Sequence, residues 1–212
     1  MDNPIELSGD WGKRLVSGLK KSGIEAPREM RDRVLLHLAL IREECRRINL
    51  VSSTDRDFLI ERHVLPSLEA LAFVEDKPLR AICIGSGAGF PGVEVKIFRP
   101  SLEMTLLEAT RKKALFLSRV VEELGLNGVS VLWKRAEQMS DESFDVALAR
   151  GVAPMQKLQG LAAPLLKQGG KLITWKGSRF QEEMKAVRTL KFRVDTIHPY
   201  DPPRILVILR KL

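Results

Sequence analysis

The 212-residue chain is poor in cysteine and histidine, with two and three respectively. Two isolated cysteines, Cys45 and Cys83, build neither a disulfide framework nor a metal site, and they suit a reducing cytoplasm. Long apolar runs are missing too; none approaches the ~18 residues of a membrane span. The first ten residues carry Asp2, Glu6 and Asp10 and no apolar core, so a secretory signal is not expected there. No Ser-His-Asp order, no metal-ligand cluster and no P-loop lysine is visible. His63 lies beside Arg62 with no paired carboxylate or nucleophile at a defined spacing, which reads as a hydrogen-bonded structural residue. His37 and His198 offer less. General acid–base machinery is therefore not legible, and no catalytic side chain is assigned.

Cations are plentiful. Lys and Arg number 35 against 27 Asp and Glu, a formal net charge of +8. Such a surface fits a polyanion, with nucleic acid first in line, or serves solubility alone. Apolar residues make up 44% of the chain, enough for a real core at this length.

The pattern changes near residue 77. Before it, the chain reads as helices: 11–22, then 28–49 with Met30, Val34, Leu38 and Ile41 as the apolar stripe, then about 56–73, kinked or restarted at Pro66. After it, short apolar runs alternate with amphipathic segments. Strands are expected at 80–84, 103–107, 129–133, 144–149 and 170–175, with helices at 92–98, 111–124 and 154–166 between them. Two further strands, Lys191 to His198 and Ile205 to Arg210, flank Tyr200-Asp201-Pro202-Pro203 and should pair antiparallel. The expected architecture is α/β: a helical cap, residues 1–76, joined to a doubly wound, mostly parallel seven-stranded domain, residues 77–212.

The one glycine-rich loop, Gly85-Ser86-Gly87-Ala88-Gly89-Phe90-Pro91-Gly92, follows the first strand and opens a helix. Such a turn lets a ligand lie against backbone, and the free N–H groups of the helix favour an anionic group. Phe90 stands where a dinucleotide fingerprint wants its third glycine. In doubly wound sheets ligands sit at the carboxyl ends of the strands, where strand order reverses. That rule nominates Gly85, Gly87 and Gly89, then Glu108 at the end of the second strand as a ribose acid. It also nominates Ala136 and Glu137 after the third strand and Arg150 after the fourth. Methyl transfer from a sulfonium donor to a nucleophilic nitrogen needs alignment and little proton transfer, which suits the missing acid–base groups.

Several blocks together resemble a known family: Gly85 to Gly92, Glu108-Ala109-Thr110-Arg111-Lys112-Lys113, Arg135-Ala136-Glu137, Ala149-Arg150, Asn49-Leu50, Arg62-His63, Lys176-Gly177 and Arg204-Ile205-Leu206-Val207. The chain is similar, over roughly residues 35 to 212, to the RsmG (GidB) family of bacterial 16S rRNA guanine-N7 methyltransferases. The resemblance implies a class I S-adenosylmethionine-dependent fold and methylation of a guanine N7 near the decoding site. It implies contacts to S-adenosylmethionine from Gly85, Phe90, Ala136, Glu137 and Arg150, and it raises Lys176 and Arg204, beside Arg62, as RNA contacts. The expected partner is 16S rRNA or a small-subunit precursor particle, met by a cytoplasmic monomer with no membrane attachment. Cys83 replaces the family's usual Asp, and the family's Arg-His-x-x-Asp-Ser becomes Arg62-His63-Val64-Leu65-Pro66-Ser67. The competing readings are a small-molecule or protein methyltransferase on the same fold, a non-catalytic RNA-binding protein with a decayed core, and an NAD-dependent oxidoreductase.

Overall fold

A computed structural model describes residues 9–140 and 143–212. The acids Asp2 and Glu6 lie outside the described residues. Two helices open the chain, α1 (Gly9–Lys21) and α2 (Arg28–Glu44). The next helical stretch is composite. It is a 3-10 turn Ser53–Phe58, a π turn Ile60–Val64, α3 (Leu65–Leu68) with its proline in the first turn, and a second 3-10 turn Glu69–Ala72. The restart expected at Pro66 occurs because proline has no N–H to give and fits the first helical turn.

Seven strands follow: β1 (Arg80–Ile84), β2 (Glu103–Glu108), β3 (Val129–Trp133), β4 (Phe144–Arg150), β5 (Leu166–Lys176), β6 (Phe192–Asp201) and β7 (Arg204–Lys211). Between them run α4 (Gly92–Phe98), α5 (Arg111–Glu123), α6 (Met155–Ala162) and α7 (Phe180–Lys185). The sheet order is β3-β2-β1-β4-β5-β7-β6. β1 to β5 are parallel, and β7 runs antiparallel to both β5 and β6. The doubly wound, mostly parallel seven-stranded sheet is thus as the sequence pattern requires. Two details differ. β5 begins at Leu166 rather than 170, shortening α6, and the six-residue α7 has no counterpart among the expected elements.

Side chains alternate across the sheet with period two. Ala81, Cys83, Leu106, Leu148, Ile173 and Leu206 face one apolar cluster; Ile82, Ile84, Leu107, Ala147, Leu172 and Val207 face the other. The first cluster also holds Leu15, Leu38, Ile41, Leu59, Ile60, Val64 and Leu68 from the helical N-terminal third. The helices before β1 therefore share one core with the sheet. α4 lies between them, and all seven of its residues are buried. Arg119 on α5 clamps Glu43 at the end of α2 through two bonds of 3.0 and 2.9 Å. The Trp175 indole on β5 donates to the Pro66 carbonyl at 2.7 Å. These ties fix the helical layer against that face of the sheet.

Candidate functional site

The strand order reverses at β1, which has β2 on one side and β4 on the other. The glycine loop leaves β1 at that point. Gly85, Gly87 and Gly89 have φ of +66°, +57° and +111°, conformations that residues with a Cβ rarely adopt. Gly89 is also sterically obligatory, since a Cβ there would lie 2.8 Å from His37 Nε2 and 2.8 Å from Val93 Cγ2. The Ser86 N–H donates to the Leu107 carbonyl at 3.0 Å, and the Ser86 hydroxyl to the Cys83 carbonyl at 2.9 Å.

Glu108 closes the loop from the neighbouring strand. One carboxylate oxygen accepts the Gly87 N–H at 2.9 Å and the other accepts the Thr110 N–H at 2.7 Å. The residue is 7% exposed. A carboxylate has about four acceptor positions, so each oxygen keeps one that these two N–H groups do not use.

A residue that the sequence left aside holds the other side of the loop. His37, on the buried face of α2, reaches the loop: its Nε2 lies 2.8 Å from the Ala88 carbonyl, and its Nδ1 lies 2.7 Å from Glu94 Oε1 on α4. Both side chains are fully buried. A carbonyl only accepts, so Nε2 carries hydrogen and donates to Ala88. One further proton lies between Nδ1 and Oε1. The second oxygen of Glu94 has no hydrogen-bond partner. The available signal was a histidine inside the Val34-Leu38-Ile41 stripe and an acid inside the apolar run Val93 to Phe98.

Phe90 packs between two imidazoles, tilted against His37 at 5.2 Å and stacked on His63 at 4.9 Å. It is buried, so its ring braces the loop against the helical layer. His63 is a hydrogen-bonded structural residue, with Nε2 3.3 Å from Asp55. Burial first, then the nearby Arg150 charge, push its pKa from 6.5 down to about 4. Between those values the unfolded chain holds a proton that the folded chain does not. Stability is therefore expected to fall as pH drops from 6.5 towards 4, by up to ~1.4 kcal/mol per pH unit. Urea denaturation at pH 7 and pH 5 checks this, and His63→Gln should remove that share of the slope.

Arg150 ends β4 at the same edge. Its guanidinium donates to the carbonyls of Arg62 and His63, tying the sheet to the π turn. Arg62 itself donates to Asp55 at 2.6 Å and lies over the Phe58 ring. Ala136 and Glu137 form a short 3-10 turn after β3, two strands from the loop. Glu137 is exposed, with Lys157 3.6 Å away. Lys176 differs most from expectation. Its ammonium binds the Ala153 carbonyl at 3.0 Å and Glu183 at 2.7 Å, and its side chain is 8% exposed. It locks α7 to β5 and is no free cation here. Arg204 starts β7, exposed, 3.2 Å from Asp201. Beside Lys176, a cavity of about 420 Å³ opens between Gly151–Pro154 and Thr174–Arg179. Cys83 is wholly buried and its thiol is pushed up to about 11 by desolvation, which makes it a packing residue.

The carboxyl edge of the sheet thus gathers the glycine loop, Glu108, Ala136, Glu137 and Arg150. A family model described as rRNA small subunit methyltransferase G matches residues 31–200. The chain belongs to this family. A ribosomal RNA small subunit methyltransferase G of Moorella thermoacetica is 38% identical over 183 residues, covering 84% of this chain and 76% of the relative. Its counterpart in Roseiflexus castenholzii is 34% identical over 225 residues, with 100% and 92% covered. Among solved structures, a SAM-dependent methyltransferase from Aquifex aeolicus superposes with a TM-score of 0.58 at 14% identity, covering 75% of this chain and 95% of that one. That likeness shows the fold. The match begins inside the helical layer, in α2, and ends within β6. No helix among the described residues is long and apolar enough to cross a membrane.

Proposed function

We propose that this protein uses S-adenosylmethionine to methylate small-subunit ribosomal RNA, at a guanine N7 near the decoding site. The observation that carries the reading is the glycine loop joined to Glu108 at the strand-order reversal, in a chain whose residues 31–200 match a methyltransferase G family. The residues fit the cofactor. A loop with three left-handed glycines offers bare backbone, and the nearly buried Glu108 retains acceptor positions for two ribose hydroxyls. Gly85, Gly87, Gly89 and Phe90 would hold one end, with Glu108 in the middle and Ala136 and Glu137 at the base. Arg150 would act by fixing the wall that faces them. When bound, S-adenosylmethionine supplies a methyl group on a sulfonium, open to attack by a neutral nitrogen.

Guanine N7 has a free lone pair, so the protein needs to align rather than deprotonate; reacting atoms about 3–3.5 Å apart and in line suffice. N7 lies on an edge hidden in the deep groove of A-form RNA, so the target is an unpaired or splayed base. The protein's cations neutralise phosphates, and binding weakens with salt. We place the enzyme in the cytoplasm as a monomer acting on 16S rRNA or a precursor particle. Mapping N7-methylguanine in small-subunit rRNA from a deletion strain, before and after treatment with the purified protein, tests the reading. One mark should vanish and return; an unchanged map sinks it.

The two carried-over cations should separate. Arg204→Ala is expected to weaken RNA binding and reduce its salt slope by about one, as for one lost phosphate contact. Lys176→Ala should cost about 2 kcal/mol of stability instead, because it leaves the half-buried Glu183 carboxylate without its cation and the Ala153 carbonyl without its donor. Filter binding across a salt series, beside urea denaturation of both variants, reads the difference.

A further inference from the structure

β3 ends on Trp133, which is 61% exposed, whereas Trp11 and Trp175 are buried. The indole N–H donates to the Ala109 carbonyl at 3.1 Å. The one polar atom of the ring is therefore satisfied, and the ring is pinned to the turn after Glu108. The Arg111 guanidinium carbon lies 5.5 Å from its centroid, and the remaining exposed surface leaves room on the ring for a second flat group. Leu115, one turn along α5 from Arg111, is 62% exposed.

The surroundings are cationic. Arg111, Lys112 and Lys113 open α5, and Lys134 and Arg135 follow Trp133 directly. Among the described residues no carboxylate forms an ion pair with Arg111, Lys112, Lys113 or Lys134. The nearest acids are already engaged. Glu108 is nearly buried with both oxygens on N–H groups, and Glu137 lies beside Lys157. Trp133 pairs with Glu108 across the ladder, and the Lys134 N–H donates to the Glu108 carbonyl at 3.1 Å. The patch is thus one strand away from the residue assigned to the ribose, on the rim of the same edge.

We propose that Trp133, with Arg111 and Lys134 beside it, is a stacking platform for one unpaired nucleotide of the RNA substrate, outside the methyl-accepting position. An exposed aromatic face with unpaired cations matches a single-stranded nucleotide in both parts. The base stacks on the ring and the flanking phosphates meet the ammonium and guanidinium groups. Duplex RNA has its base faces hidden, so it cannot use the ring. The inference rests on the RNA-methyltransferase reading and deepens it.

The test is tryptophan emission of the full chain titrated with a ten-nucleotide oligoadenylate, a duplex RNA of equal length, or S-adenosylhomocysteine alone. Oligoadenylate should quench the emission, and the duplex should not. Trp133→Ala should weaken oligoadenylate binding about tenfold, the usual size of one stacked base. Trp133→Phe should keep most of the affinity and lose the quench. The proposal is overturned if Trp133→Ala binds oligoadenylate like the wild type. It is equally overturned if S-adenosylhomocysteine alone quenches and Trp133→Ala weakens that ligand instead, which would give the ring to the cofactor's adenine. Guanine-N7 methylation of small-subunit rRNA by the wild-type protein, measured alongside, separates the two levels. Its persistence with a failed platform leaves the enzyme reading standing, and its absence removes both.

Discussion

His37→Ala is expected to lower folding stability by about 3–5 kcal/mol, the cost of breaking a fully buried charge-capable pair from one side. His37 and Glu94 have no exposed surface, and their contact is 2.7 Å. Without the imidazole, Glu94 keeps neither oxygen partnered, because its second oxygen has no partner even now. Glu94→Ala should be similarly severe, since His37 Nδ1 would face an apolar wall. Replacing both residues by leucine should recover most of the loss, because buried pairs exchanged for apolar groups of like volume are often close to neutral. Cofactor binding should not recover with it. The Ala88 carbonyl would still lack its donor at 2.8 Å, and the loop would lose the contact that sets its position relative to Phe90. Urea denaturation gives the stabilities, and titration with S-adenosylhomocysteine gives the affinities. A double-leucine variant that binds like the wild type would remove His37 from the role of positioning the loop. Single variants as stable as the wild type would remove the pair from the fold's main supports.

This pair marks where the sequence stops being readable. The alternation of short apolar runs with amphipathic stretches was enough for the seven strands and the antiparallel last pair, because β1, β2, β4 and the second half of β5 are largely buried and leave that pattern directly. The glycine loop and Glu108 were readable for a similar reason. Three left-handed glycines before a helix and an acid closing the next strand are local features, and the strand-order rule joins them. What could not be read is what each polar side chain meets. Lys176 and Glu183 are seven residues apart on a strand and a helix, and Glu183 lies in an α7 too short to show a period. Arg150 and the Arg62 carbonyl are 88 residues apart. Arg62, Arg150 and Lys176 look alike as basic residues near a ligand edge, and their different occupations appear only with the helical layer in place. The resemblance puts Phe90 at the cofactor; that its ring also lies between His37 and His63 is not legible in the sequence. The π and 3-10 turns of 53–72 follow from that same packing. Buried Ser67 and Pro66 accommodate Arg150 and Trp175, which no helical periodicity encodes.

Glu108→Gln is expected to weaken cofactor binding about 100-fold, nearly as much as Glu108→Ala, although glutamine has almost the same shape. The reason is the pair of N–H groups that the carboxylate accepts, from Gly87 at 2.9 Å and Thr110 at 2.7 Å. An amide offers one oxygen and one NH2, so in either orientation a donor is set against a donor in a nearly buried site. An orphaned N–H costs ~1–3 kcal/mol, and a hydrogen bond from a hydroxyl to a charged acceptor is worth ~1.5–3 kcal/mol. The lower ends of the two together amount to about 2.5 kcal/mol, or nearly two orders of magnitude in Kd. Glu108→Asp should fall between wild type and Gln, since it keeps both acceptors and draws them back by one methylene. Turnover at saturating cofactor should change much less than KM in all three variants. Glu108 would hold the ribose and does not approach the methyl group, so its contribution is equal in ground and transition states. Calorimetric titration with S-adenosylhomocysteine and steady-state kinetics on rRNA check the two halves. If the Gln variant binds within a few-fold of wild type, the two N–H groups are being satisfied another way and Glu108 is not the ribose acid. If binding falls as expected but kcat falls equally, the residue acts on the alignment of the reacting atoms, and the loop and the methyl-accepting position are coupled more tightly than their separation across the sheet edge implies.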